Sequence, residues 1–114
     1  MKALATLKMA FGRTNIGDAG LQHLGAGLAE LKDLVTLTLD FVNCENIGSV
    51  GLQHVGAGLA ELKDLATLSL NFSSCMNIGD AGLQHLGAGL AELKNLATLF
   101  LNFDGCMNIG DAGL

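Results

Sequence analysis

Residues Leu65 to Lys94 read LATLSLNFSSCMNIGDAGLQHLGAGLAELK, and the rest of the chain consists of copies of that stretch. Leu34 opens an earlier copy and Leu96 a later one, while Leu4 opens a first copy that is one residue shorter between Phe11 and Asn15. A fixed internal period outweighs local propensity, because each unit must bury its apolar side against its neighbours. The expectation is a single array over residues 1–114, of about three and a half units starting near Leu4, Leu34, Leu65 and Leu96.

Each unit contains two hydrophobic periods. Leu68, Leu70 and Phe72 alternate with Ser69 and Asn71, the period of two of a short strand with one buried face. The same pattern predicts strands near Thr6 to Met9, Thr36 to Leu39 and Thr98 to Leu101. They should run parallel, since the same return path follows each. In the second half Leu83, Leu86, Leu90 and Leu93 form one apolar stripe along a helix. Asp80 precedes it as the expected N-cap, with Asp18 and Asp111 as its equivalents and Ser49 in the second copy. The pairs Gly25 and Gly27, Gly56 and Gly58, and Gly87 and Gly89 fall inside these helices, where each costs roughly 1 kcal/mol relative to alanine. A tertiary reason is expected: at least one glycine of each pair should face the next helix and allow close approach.

The pattern L-x-x-L-x-L, followed by Cys, Ile, Gly-Asp, Gly-Leu and a leucine-striped helix, resembles the leucine-rich repeat family, and within it the ribonuclease-inhibitor-like and cysteine-containing kind. The resemblance implies a right-handed α/β solenoid shaped as a horseshoe, with parallel strands on the concave face and helices on the convex face. It implies binding of a partner, without naming one. The chain departs from the family pattern after the third leucine, where Gly12, Val42, Ser73 and Asp104 stand and the cysteine follows two residues later. Phe11, Phe41, Phe72 and Phe103 add an apolar position there, so a longer inward-facing segment with stacked phenylalanines is expected.

Charge and composition exclude several classes. A net charge of −5 disfavours nucleic acid, whose phosphates are bound by clustered Lys and Arg. No apolar run approaches the roughly 20 residues that span a bilayer, and Lys8 interrupts the only stretch resembling a leader. Neither nucleic acid nor membrane is an expected partner. Cys44, Cys75 and Cys106 occur once per unit without a companion, which fits free thiols in a reducing compartment and makes a cytoplasmic location the default.

No catalytic, metal or cofactor constellation is recognised. His23, His54 and His85 lie one per unit, at an expected spacing of ~10 Å across packed helices, too far for one ion. The Gly25-Ala26-Gly27 run lacks the third glycine of a nucleotide loop and lies within a helix. Rows of glutamate (Glu30, Glu61, Glu92) and lysine (Lys32, Lys63, Lys94) read as a solvated edge.

The copies differ mainly where strand side chains point away from the leucines. One row is Thr6, Thr36, Thr67 and Thr98, the next Lys8, Thr38, Ser69 and Phe100, and the third Ala10, Asp40, Asn71 and Asn102, with Asp104 just beyond. A constant scaffold with a varied face suits protein recognition. Thr36, Thr38, Asp40, Thr67, Ser69, Asn71, Thr98, Phe100, Asn102 and Asp104 are therefore the candidate partner-binding residues, with Phe100 the sharpest, in a protein that is not an enzyme. The alternative is a structural spacer or self-assembling segment. Neither end reads as a polar cap, with Ile109 and Leu114 uncovered, so a fragment of a longer array, a recent duplication or a consensus-style sequence is expected, together with end-to-end self-association.

Overall fold

The structure is a computed structural model that describes residues 4–110. Strands and helices alternate along the chain: β1 (Thr6–Ala10), α1 (Asp18–Ala29), β2 (Thr36–Asp40), α2 (Ser49–Leu59), β3 (Thr67–Asn71), α3 (Asp80–Leu90) and β4 (Thr98–Asn102). The four strands form one parallel sheet in the order β1-β2-β3-β4. β1, β2 and β4 each run one residue further than the alternation predicts, because Ala10, Asp40 and Asn102 still pair across the sheet, in one row with Asn71. α1 packs on α2 and α2 on α3, so strands neighbour strands and helices neighbour helices.

The core lies between these two layers. Leu37, Leu39, Leu68 and Leu70 project into it from the central strands and are almost fully buried. Leu52, Val55 and Leu59 reach it from α2. Leu62 and its equivalent in the following copy, Leu93, the one expected on the helical stripe, lie beyond the helix ends. Their N–H groups donate to Leu59 O at 2.9 Å and to Leu90 O at 3.0 Å, a tight final turn that still directs both leucines inward. Phe11, Phe41, Phe72 and Phe103 stack in one column, with centroids 5.3, 5.1 and 5.5 Å apart and planes within 12° of parallel. The extra apolar position after each strand thus continues the core along the array.

The helical glycines mark where backbones meet. A Cβ at Gly56 would lie 2.8 Å from the carbonyl oxygen of His85, and one at Gly25 would overlap the carbonyl of His54. Gly58 and Gly89 face the other way, onto the carbonyls of Gly25 and Gly56. The first glycine of each pair therefore meets the following helix and the second the preceding one. Gly27 and Gly87 fit the same rule from the outer sides of α1 and α3, where no heavy atom of the described residues lies within 4 Å of a Cβ.

Capping departs from expectation. The residues before the helices, Gly17, Gly48 and Gly79, occupy the N-cap position, and no side chain caps them. Asp18 lies in the first turn of α1, and its Oδ1 accepts hydrogen bonds from Gly48 N–H at 2.8 Å and Gly51 N–H at 2.9 Å, at the start of the next helix. Asp80 Oδ1 likewise accepts from Gly110 N–H at 2.8 Å. The carboxylate serves its neighbour because stacking brings successive helix starts side by side, and a helix N-terminus attracts negative charge. Asp111 and Leu114 lie outside the described residues. The charged rows also interlock: Lys32 Nζ lies 3.1 Å from Glu61 and Lys63 Nζ 3.7 Å from Glu92.

Candidate functional site

Each strand places its leucines on one face and its hydroxyl, amide and charged side chains on the other, as the pleat requires. The register brings the candidate residues into rows. Thr36, Thr67 and Thr98 pair in sequence, as do Thr38, Ser69 and Phe100, and Asp40, Asn71 and Asn102. Lys8 completes the second row and Ala10 the third. Thr36, Thr38, Asp40, Thr67, Ser69 and Asn71 are half-buried, whereas Thr98, Phe100, Asn102 and Asp104 are exposed. Phe100 is 69% exposed.

The third row has a structural duty that the strand pattern did not reveal. Asp40 Oδ1 accepts from Val42 N–H at 3.0 Å, Asn71 Oδ1 from Ser73 N–H at 2.9 Å and Asn102 Oδ1 from Asp104 N–H at 2.9 Å. These Asx turns end β2, β3 and β4. The next residues, Asn43, Ser74 and Gly105, have φ of 59°, 59° and 77°, and Arg13 has 58°. One polar atom of Asp40, Asn71 and Asn102 is thus committed to a turn, leaving the Thr and Ser row as the part of the face free of that duty. The signal was present in the sequence as Asp or Asn two residues before a turn position, but the strand alternation masked it.

Behind the turns runs a row of thiols. Cys44 Sγ donates to Phe11 O at 3.2 Å, Cys75 Sγ to Phe41 O at 3.0 Å and Cys106 Sγ to Phe72 O at 3.1 Å. Burial pushes the Cys75 thiol from 9.0 up to about 11 and raises that of Cys106. A buried thiol held protonated is a poor nucleophile, so Cys75 and Cys106 serve as hydrogen-bonded filling, and Cys44 makes the same bond from a buried position. Beside it Asn46, Asn77 and Asn108 donate through Nδ2 to Asn15 O, Glu45 O and Met76 O of the preceding copies.

His23 and His85 are exposed and His54 is half-buried. Among the described residues no group of three or more His, Cys, Asp or Glu side chains is arranged to hold a metal ion. No described helix is long and apolar enough to cross a membrane. The shorter first loop leaves a polar groove of about 320 Å³ lined by Arg13, Thr14, Asn15, Asn43, Glu45 and Asn46. A second open hollow, of about 530 Å³, lies at the β4 end against Phe103, Cys106, Met107, Ile109 and Leu83. No family model matches the sequence, and no curated protein matches it.

Proposed function

We propose that the chain is a leucine-rich repeat solenoid of the ribonuclease-inhibitor-like, cysteine-containing kind. Its strands form the concave face and its helices the convex one, and it acts as a non-catalytic protein-binding module in a reducing compartment such as the cytoplasm. The observation that carries this reading is the contrast between the two sides of one strand row. On the inner side Leu39 pairs with Leu70 and Leu70 with Leu101, while on the outer side Thr38 pairs with Ser69 and Ser69 with Phe100. The support for the face is rigid and repeated, and its chemistry varies, which is what selecting one partner over others requires. The hydroxyls and amides at the centre of the face, flanked by Lys8 and Asp104, fit a polar, mostly uncharged patch on a folded protein.

The test uses the Thr and Ser row, because replacing Asp40, Asn71 or Asn102 would open a turn as well. Thr38→Glu combined with Ser69→Glu introduces two charges on the face, whereas Gln53→Glu introduces one on the exposed surface of α2. A protein recovered on the immobilised chain and then purified should lose affinity about a hundredfold with the first variant and keep it with the second. Equal retention by both variants would dismiss the strand face and favour the spacer reading.

A further inference from the structure

The outer edges of β1 and β4 each lack a neighbouring strand among the described residues, and they are the two halves of a junction that the molecule already forms three times. We infer that the 114-residue chain associates head to tail with second copies of itself, β4 of one pairing parallel and in register with β1 of the next. This goes beyond recognition of a different protein by the strand face and does not depend on it.

Three features of the two edges match. The first is the backbone. At each internal junction a phenylalanine N–H donates to the carbonyl that ends the next strand: Phe11 to Asp40 O at 2.7 Å, Phe41 to Asn71 O at 2.7 Å and Phe72 to Asn102 O at 2.8 Å. The equivalent acceptor for Phe103 is Ala10 O of a second copy. The second is the aromatic column. Phe103 stacks on Phe72 through one ring face and Phe11 on Phe41 through one, so the remaining faces of Phe103 and of the second copy's Phe11 would meet as the internal rings do. Exposed apolar area also lies at that edge, with Leu99 43% and Leu101 42% exposed. The third is charge. Continuing the observed register sets Phe100 opposite Lys8 of the second copy and Asp104 beside its Arg13, a cation over an aromatic ring and an ion pair.

The helices set the strength of the joint. Each helix follows its strand in the chain, so the second copy's α1 would stand two helix positions beyond α3. The glycine contact between α3 and the second copy's α1 is then absent, and among the described residues the joint is held by the sheet edge, the phenylalanine column and the charges. Association is therefore weaker than the internal junctions and depends on concentration. Because the contact is heterologous, it does not close at a dimer unless the rotation between copies closes a ring.

Sedimentation velocity on the 114-residue chain from micromolar to millimolar concentration should show a mass that climbs beyond two copies, and added salt should reduce it. Lys8→Glu with Arg13→Glu disables the β1 edge, and Phe100→Lys with Asp104→Lys disables the β4 edge. Each variant alone should need about tenfold or more concentration to reach the same mass. An equimolar mixture of the two should recover it, because the reversed edges complement one another. Unchanged helical circular dichroism shows that both variants fold. A wild-type chain that stays monomeric throughout overturns the proposal. So does a charge-reversed variant that associates like wild type, or a mixture that fails to recover.

Discussion

β3 and β4 carry nearly the same residues, TLSLN and TLFLN, yet Leu68 and Leu70 are at most 1% exposed while Leu99 and Leu101 are more than 40% exposed. The sheet pairs them residue for residue, so neither propensity nor pattern separates the two strands. The difference is a second neighbour: β3 lies between β2 and β4, and β4 has β3 alone among the described residues. The same holds for the helices, since Gly56 and Gly58 of α2 each meet an adjacent backbone whereas Gly87 of α3 meets none among the described residues. A unit in this chain acquires its stability from the interfaces on either side of it, so the same substitution should have different consequences at different positions in the array.

The largest test of that view is one leucine removed at two places. Leu68→Ala empties a site closed on every side and should cost about 2 to 5 kcal/mol. Leu99→Ala removes a side chain that is 43% exposed and should cost about 1 kcal/mol or less. The chain has no Trp or Tyr, so urea unfolding followed by helical circular dichroism is the suitable measurement. Equal losses at the two positions would break the comparison.

A smaller effect reverses sign between copies. Gly56→Ala places a methyl group against the His85 carbonyl and forces the helices apart, a strain of about 1 to 3 kcal/mol. Gly87→Ala has nothing within 4 Å to meet among the described residues and should stabilise α3 by about 1 kcal/mol, because alanine is the better helix former. Opposite shifts in the urea midpoint would confirm that neighbours decide. A loss at both positions would show instead that glycine serves a purpose within its own helix.

These contrasts also mark what the sequence made legible. The leucine rows and the phenylalanine column followed from residues recurring at equal intervals, because equivalent positions in a stacked array must meet; the glycines were legible as a close approach of helices, though Gly58 meets Gly25 and Gly56 meets His85. The partners of Asp18 and Lys32 did not follow. Each reaches across to a non-equivalent position, Asp18 to Gly48 and Gly51 and Lys32 to Glu61. Such pairings depend on the offset between neighbouring copies, which no pattern within one copy contains. The strand-face row of Asp40, Asn71 and Asn102 was legible as a row but not as a set of turns, since alternation places a side chain on a face and says nothing of how it folds back.

The smallest expected effect isolates one such offset, at two junctions that differ in the side chain offered to the next helix start. At the α1–α2 junction Asp18 accepts two N–H bonds from the start of α2, whereas at the α2–α3 junction the equivalent residue is Ser49, before α3 begins at Asp80. Asp18→Ala should cost about 1 kcal/mol, as loss of a helix-start acceptor does. Ser49→Asp offers Gly79 and Gly82 the carboxylate that Gly48 and Gly51 already have and should add about 0.3 to 1 kcal/mol. Thermal unfolding of the two variants beside wild type reads both shifts. If Ser49→Asp leaves stability unchanged while Asp18→Ala lowers it, the two junctions differ in offset as well as in residue, and the array is less regular than its sequence.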